Sequence, residues 1–279
     1  MNLYFGITEW ITASSGWTIM DEDAKAIVEK ARENQAVEAL YREVEAVTPV
    51  TVGYNPRQGP WSSQTADGKT EIIVSLSSRP EASLAHELLH ARLKTRGYRQ
   101  YGLIGTMDPN PELLKYINEA LDNELQHHRI FPEFLEMGFT GDQFYHDGDE
   151  ADFSQLQAEI ETTKPDENPG ALLLNFLTLI SPGGADSENV RSEMRRVFEE
   201  RCGPDSYAKM QAIEREFNDW RKSPGLDAGK TIAAILKHLG NFERTWIATG
   251  QDFPADGHFV SEPFTLQELT DHMSAKQGG

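Results

Sequence analysis

The chain is poor in cysteine, in basic residues and in long apolar runs. Its single cysteine, Cys202, excludes an internal disulfide. The 26 basic residues against 45 acidic ones give a net charge of −19, which argues against nucleic acid or an anionic membrane surface as a partner. No apolar run approaches the roughly 18 residues that a membrane-spanning helix needs. Because no Lys or Arg precedes Lys25, we expect no secretory signal and a cytoplasmic protein.

The remaining composition is typical of a folded globular protein. With 279 residues, 38% of them hydrophobic, the chain is long enough for one large domain or two small ones. Along the first half, helix and strand patterns follow one another. They predict an amphipathic helix over 21–47, strands over 48–54 and 71–76, a helix that ends near Gly97, and a helix from Pro111 to about Ile130.

The second half has a different pattern. The acidic stretch 142–167 is predicted to be a solvated, partly irregular connector. Beyond it we predict no strand and several helices, over 170–181, 186–201, 205–222, 229–240 and 265–274. The sequence therefore predicts an α+β fold, with a mixed core over 1–140, a connector over 141–168 and a mostly helical region over 169–279.

The segment His86-Glu87-Leu88-Leu89-His90 matches the pattern H-E-x-x-H. On a helix, residues four apart share a face, so His86 and His90 can offer two imidazole nitrogens to one metal ion. Glu87 lies about 100° around the helix, where its carboxylate can reach a water molecule that the metal activates. The pattern therefore predicts a metal site with a glutamate as general base.

Two observations favour a metal site over a purely structural role for these histidines. In a chain with 8 histidines, a chance match to the pattern is expected in roughly 2% of sequences. Leucines at 84, 88, 89 and 93 flank the motif on both sides, which predicts a buried helix. Polar side chains in such a position must be paired or bind something. The alternative is that His86 and His90 are satisfied core residues without a metal.

Residues 48–131 resemble the zincin metallopeptidases, in which a strand lies beside the H-E-x-x-H helix and a second helix or turn supplies the third ligand. The resemblance implies a small zincin-like sheet and a zinc-dependent peptidase, with His86 and His90 as Zn²⁺ ligands and Glu87 as general base. The longer metzincin pattern is excluded, because Leu93 and Arg96 stand where it requires Gly and His. The chain then resembles the gluzincins, whose third ligand is a glutamate on a downstream helix.

The helix after Pro111 offers three candidates for that ligand. Glu124 stands in a segment similar to the thermolysin-type pattern N-E-x-x-S-D, and Glu119 in one similar to the E-x-x-x-N form of regulatory zinc peptidases. Helical periodicity places Glu124 and His128 inside the apolar arc and Glu119 nearly opposite, so we prefer Glu124. His127, near the edge of the arc, would give a three-histidine site. Taken alone, the pair His127-His128 is typical of the last turn of a helix, where the helix dipole favours positive charge.

A basic cluster follows the motif and consists of Arg92, Lys94, Arg96 and Arg99. We predict that it pairs with the acidic stretch 142–167; the alternative is that it holds an acidic substrate segment or a chain terminus.

The sequence as a whole predicts a cytoplasmic zinc metallopeptidase that holds Zn²⁺ through His86, His90 and Glu124 and cleaves a protein or peptide substrate. The alternative is a metal-binding regulatory or interaction protein that keeps a zincin scaffold without turnover, because the helical half is larger than the core and has no recognisable chemistry. The substrate and the oligomeric state stay open.

Overall fold

The computed structural model describes residues 22–55, 60–144, 153–162, 169–183, 188–240, 242 and 244–277. Within these ranges the protein is mostly helical, with two small sheets of three strands each, which confirms the predicted α+β class. The described residues divide into two compact units. The first unit comprises those up to Gly97, 126–144 and 182–183, and the second comprises 98–125, 153–181 and those from Glu188 onwards.

The first unit begins with two helices and a sheet, followed by the helix that carries the motif. These elements are α1 (Glu22–Ala31), α2 (Gln35–Glu45), β1 (Val50–Tyr54), β2 (Ser62–Ala66), β3 (Lys69–Val74) and α3 (Pro80–Thr95). Strand β3 lies in the middle of the sheet, parallel to β1 and antiparallel to β2. Its side chains alternate, and Ile72 and Val74 are completely buried.

The single helix predicted over 21–47 is two helices, and Asp21 lies outside the described residues. The chain leaves the helical path after Ala31 and re-enters it at Gln35. The side-chain oxygen of Asn34 accepts hydrogen bonds from the backbone N–H groups of Ala36 and Val37. This N-cap satisfies donors that a new helix would otherwise leave unpaired, so α2 begins where Asn34 stands.

Helix α3 has sequence signals at both ends. Pro80 occupies the first turn together with Glu81, where a missing N–H and a negative charge are both favourable. Gly97, just beyond the helix, has a φ of 104°, which side-chain-bearing residues rarely adopt. Residues 82–91 are buried on every face, and the helix packs against α1, α2 and β2. The buried helix predicted from the leucine pattern is therefore confirmed.

The second unit contains β4 (Leu103–Thr106), residues 111–125 of α4 (Pro111–Glu136), and the elements further along the chain. These are α5 (Phe153–Thr162), α6 (Pro169–Ile180), α7 (Glu188–Lys222), α8 (Gly229–Leu239), β5 (Thr245–Ala248), β6 (Gly257–Phe259) and α9 (Leu266–Gln277). Strand β5 is central and antiparallel to both β4 and β6. Helix α7 is kinked at Gly203, the break that the sequence predicted between 201 and 205.

Two further expectations from the sequence are wrong, namely the absence of strands beyond 169 and the end of a helix before Pro132. Strands do occur beyond 169: all four residues of β5 are buried, so the alternation that identifies a half-buried strand is missing. Within the acidic stretch, 153–162 form helix α5, while 145–152 and 163–168 lie outside the described residues. Helix α4 does not end before Pro132 but continues to Glu136.

Among the described residues, no helix combines the length and the apolar character needed to cross a membrane.

Candidate metal centre

Helix α3 brings His86, Glu87 and His90 into the interior of the first unit. Only 4%, 4% and 6% of their respective surfaces are exposed. The rings of His86 and His90 have centroids 4.8 Å apart, and their Nε2 atoms lie 3.0 Å apart. The spacing of four residues therefore places the two rings side by side, as the motif predicted.

His127 on α4 is the third member of this group. Its ring centroid lies 5.1 Å from that of His86 and 5.2 Å from that of His90, and the residue is 7% exposed. The ligand atoms of the three histidines all lie within 4.8 Å of one another. Three buried histidines arranged in this way could hold a metal ion. No second group of this kind is found in the part of the chain that the structure describes.

A backbone carbonyl fixes the orientation of His86. Its Nδ1 lies 2.7 Å from the carbonyl oxygen of Phe144. A carbonyl oxygen only accepts hydrogen bonds, so Nδ1 carries the proton and donates it. The proton is then absent from Nε2 of the neutral ring, and this nitrogen carries the lone pair that a metal ligand requires.

The side chain of Gln126 fixes the orientation of His90. Nδ1 of His90 lies 3.0 Å from Oε1 of Gln126, which accepts its hydrogen bond. Nε2 of His90 then also carries a lone pair, so lone pairs of two rings converge. In metal sites, ligand histidines nearly always donate their second ring nitrogen in this way.

The distances fit a tetrahedral ion with a small adjustment. Two nitrogens that share a zinc ion at 2.0–2.1 Å lie about 3.3 Å apart. The 3.0 Å between His86 and His90 is close to that value. The ligand atoms of all three histidines lie within 4.8 Å of one another. Because two nitrogens on one ion can be at most about 4.2 Å apart, the three rings need only a small inward movement to bind one ion together.

Burial keeps His90 neutral. Burial, with a smaller contribution in the same direction from the neighbouring His127, lowers the pKa of His90 to about 3. The carboxylate of Glu87 acts in the opposite direction and has a smaller effect. At neutral pH the imidazole of His90 is therefore uncharged, which is the form that binds a metal.

The two glutamates considered as third ligands, Glu124 and Glu119, are not members of the group of three histidines. Glu124 is buried, with 7% exposed, as periodicity predicted, but it belongs to the second unit and is not a member of the metal-compatible group. Glu119 is partly exposed; its Oε2 is buried without a hydrogen-bond partner, and burial raises its pKa. His127 and His128 do not lie in the last turn of a helix, because α4 ends at Glu136.

Sequence reasoning missed the two groups that orient the ligands. Gln126 directly precedes His127, but a glutamine at that position has no recognised spacing signal. The Phe144 carbonyl follows a short 3₁₀ turn, Gly141–Gln143, and Arg79 donates a hydrogen bond of 2.6 Å to the carbonyl of Asp142 within this turn. The buried Phe144 ring also lies 4.5 Å from the ring of His86.

The basic cluster forms ion pairs with acids outside the predicted partner stretch. Arg92 pairs with Glu43 at 3.1 Å and also with Glu133. Arg96 pairs with the same two carboxylates, at 3.1 and 3.3 Å. Acids of α2 and α4 therefore meet basic side chains at the end of α3, while much of 142–167 lies outside the described residues.

Comparison with known proteins adds no relative, since no protein-family profile, curated protein or solved structure matches this chain.

Proposed function

We propose that this protein is a zinc-dependent hydrolase that cleaves peptide bonds, with His86, His90 and His127 as ligands and Glu87 as general base. The observation that carries the proposal is the buried group of three histidines with a glutamate next to the first of them on α3. The zincin resemblance of the H-E-x-x-H segment supports the choice of reaction.

The number and type of ligands favour a catalytic ion over a structural one. Structural zinc sites have four protein ligands, whereas catalytic sites have three and leave a position for water or substrate. Imidazole nitrogens suit zinc among the common divalent metals. The neutral state of His90 and the Nδ1 partners of His86 and His90 are what such a site requires.

The residues have separate roles in this proposal. Bound zinc would lower the pKa of a water molecule and polarise the carbonyl of the scissile bond. The carboxylate of Glu87 would accept the proton of the attacking water and return it to the leaving amine. The carbonyl of Phe144 and the side chain of Gln126 would keep the rings of His86 and His90 in their binding orientation.

A second candidate is a metal-holding protein without turnover. It is favoured by burial, since each of the three histidines and Glu87 is less than 8% exposed. A site that is closed to solvent can hold an ion for stability or regulation without admitting a peptide.

Metal content tests both candidates. Protein purified without added metal should contain close to one zinc ion per chain, and His86→Ala should lose it. Both proposals would be wrong if the protein contained no stoichiometric divalent metal, or if the metal content of His86→Ala were unchanged. The histidines would then have a purely structural role.

The variant Glu87→Gln distinguishes a hydrolase from a protein that only holds a metal. A quenched fluorescent peptide library is the probe, and Glu81→Gln, on the first turn of the same helix, is the matched control. Because the substitution removes only the proton acceptor, we expect zinc to be retained and cleavage to fall by about 10²- to 10⁴-fold. If wild-type and Glu87→Gln proteins cleave equally, or if zinc-loaded wild type cleaves no peptide, the hydrolase proposal is wrong.

A further inference from the structure

The short segment 140–144 lies against the candidate metal centre. The ring of Phe144, its last residue, is completely buried, and its centroid lies 4.5 Å from that of His86 and 5.4 Å from that of His127. The carbonyl oxygen of the same residue lies 2.7 Å from Nδ1 of His86. Phe144 therefore contacts two of the three histidines, one of them through both its ring and its carbonyl.

Apolar packing holds the ring of Phe144 but does not aim its carbonyl. The ring also lies beside those of Phe131 and Phe134, with centroids 5.0 and 5.2 Å away. The free energy of apolar burial is non-directional, so it keeps the ring in the core without fixing the rotation of the peptide group. Polar contacts of the segment must fix the direction of the carbonyl.

The segment itself has a short backbone structure, the 3₁₀ turn Gly141–Gln143. The N–H groups of Gln143 and Phe144 donate to the carbonyls of Thr140 and Gly141, at 3.0 and 3.2 Å. Residues 141–143 are only half-buried. A turn of this length and exposure opens locally at a low free-energy cost, so a contact from outside the segment is needed to keep its shape.

Arg79 supplies such a contact and joins the segment to the helix that carries His86. Its guanidinium donates a hydrogen bond of 2.6 Å to the carbonyl of Asp142 and lies 3.6 Å from the carboxylate of the same residue. Arg79 directly precedes α3, about two helical turns before His86. Its own N–H donates to Oγ of Ser77 at 2.9 Å, and its carbonyl accepts from the N–H of Ser83 at 3.0 Å. The segment is thus fastened to a fixed point at the start of α3.

Gly183 contacts the segment as well. A Cβ atom at this position would lie 2.9 Å from the carbonyl oxygen of Gly141 and 3.1 Å from Cβ of Phe144. These distances are shorter than ordinary contacts of a Cβ atom, so any side chain here would push the segment away. The backbone of Gly183 therefore limits where the segment can lie.

We propose that Arg79 is a positioning residue of the metal centre, which holds the segment 140–144 so that the carbonyl and the ring of Phe144 keep His86 in place. The inference rests on the proposed metal site. Arg79 acts on the ligand through Phe144, so its loss should loosen the centre without removing any of the three histidines.

The zinc affinity of full-length Arg79→Met, measured by competition with a chelator, tests the inference. We expect binding about 10-fold weaker than in the wild type, as for other residues that orient metal ligands indirectly. Arg79→Lys keeps a donor for the carbonyl of Asp142 and should restore the affinity. Unchanged affinity in Arg79→Met would overturn the inference.

Arg32→Met is the matched control for the loss of an arginine. The side chains of Arg32 and Arg79 are exposed to the same extent, 31% and 33%, and Arg32 forms an ion pair with Glu38 in the same unit. Arg32→Met should bind zinc as tightly as the wild type. If it lost the same affinity as Arg79→Met, general destabilisation would explain both losses and the inference would be wrong.

Gly183→Ala disturbs the segment from a different residue and leaves Arg79 unchanged. Its methyl group would displace Gly141 and Phe144, so we expect a similar loss of zinc affinity. Gly240→Ala is the control, because Gly240 has nearly the same φ, 82° against 85°, and a Cβ atom there would meet no other described residue within 4 Å. Wild-type affinity in Gly183→Ala, or an equal loss in Gly240→Ala, would contradict the inference.

Amide hydrogen exchange of the metal-free protein gives a readout that does not depend on zinc. The amides of Gln143 and Phe144 should exchange at least about 10-fold faster in Arg79→Met than in the wild type, whereas those of α2 should keep their rates. Equal rates at 143 and 144 would overturn the inference. A wild type that binds no zinc would instead refute the proposed function itself.

Discussion

At the scale of single residues, burial determines the charge of His90. The environment of His90 lowers its pKa to about 3, whereas an exposed histidine in the unfolded chain titrates near 6.5. The folded metal-free protein therefore keeps His90 neutral at pH values where the unfolded chain would protonate it. The same burial that keeps His90 in the neutral form, which can bind a metal, makes the metal-free protein sensitive to acid.

The free energy of unfolding of the metal-free protein should fall as the pH is lowered from 6.5 towards 3. Between these values the unfolded chain binds the proton and the folded chain does not, so the stability that is fully present above pH 6.5 is lost as the pH decreases. At pH 5 the loss due to His90 is on the order of 2 kcal/mol. Urea unfolding in EDTA at pH 7.5 and pH 5 measures it. His90→Gln should show a smaller loss, and an equal loss in both proteins would contradict the account.

At this scale the sequence predicts which side chains of one helix lie together, but it does not predict contacts between different elements. The four-residue spacing was sufficient to bring His86 and His90 together. The acceptor for His86 is a backbone carbonyl 58 residues further on, a group that every residue has, so no pattern identifies it. Periodicity correctly predicted that Glu124 is buried, but it could not indicate that His127 is the residue grouped with the other two histidines.

At the scale of elements, local capping overrides a continuous amphipathic pattern. The apolar residues of 21–47 recur at helical spacing, yet α1 and α2 are separate because Asn34 begins a new helix. Asn34 accepts hydrogen bonds of 2.9 and 3.4 Å from the first turn of α2. Helix α2 packs against α3, so its stability supports the helix that carries the motif.

Asn34→Ala should destabilise the protein by about 1 kcal/mol, because it removes the acceptor for two N–H groups at the start of α2. The difference between midpoints of urea unfolding at pH 7.5 measures it. Asn34→Asp keeps the capping oxygen and is the control, for which we expect nearly wild-type stability. If Asn34→Ala and Asn34→Asp were equally stable, the N-cap would not be the reason for the break.

Two other elements show why the remaining boundaries could not be predicted. Pro132 cannot donate a backbone hydrogen bond and normally ends a helix, but α4 continues past it. The turn beyond it completely buries Phe134 and contributes Glu133 to the ion pairs with Arg92 and Arg96. Strand β5 is short and wholly buried, so it has neither alternation nor length to distinguish it. Tertiary packing determines both where α4 ends and where β5 forms.

At the scale of the whole molecule, packing and composition divide the chain differently. The sequence predicted boundaries at 140 and 168 from a change in charge and strand content. The compact units are each built from separate stretches of chain, with residues 111–125 of α4 in one and 126–136 in the other. A change in composition follows the chain in order, whereas contacts bring distant segments together, so the units could not be predicted from composition.

The reactivity of the Cys202 thiol indicates whether the second unit is packed around this residue. It is 9% exposed, and burial raises the pKa of its thiol to about 11. At pH 8 the native protein should therefore react with iodoacetamide at least about 100-fold more slowly than the chain unfolded in urea, because the thiolate is the reactive form. Mass spectrometry of the single labelled site measures both rates.

The matched control is the double variant Cys202→Ser/Ser192→Cys, which moves the thiol to an exposed position of the same helix, α7. It should react at nearly the same rate folded and unfolded. Rapid labelling of Cys202 in the native wild type would show that this part of the second unit is not packed as described.

Zinc affinity of His127→Ala and Glu124→Ala, measured by chelator competition, tests the central claim most directly. The account predicts one zinc ion per wild-type chain, affinity reduced by more than about 100-fold in His127→Ala, and nearly unchanged affinity in Glu124→Ala. Wild-type affinity in His127→Ala together with loss of zinc from Glu124→Ala would contradict the three-histidine centre and make Glu124 the third ligand. A wild type that binds no zinc would contradict the metal centre altogether.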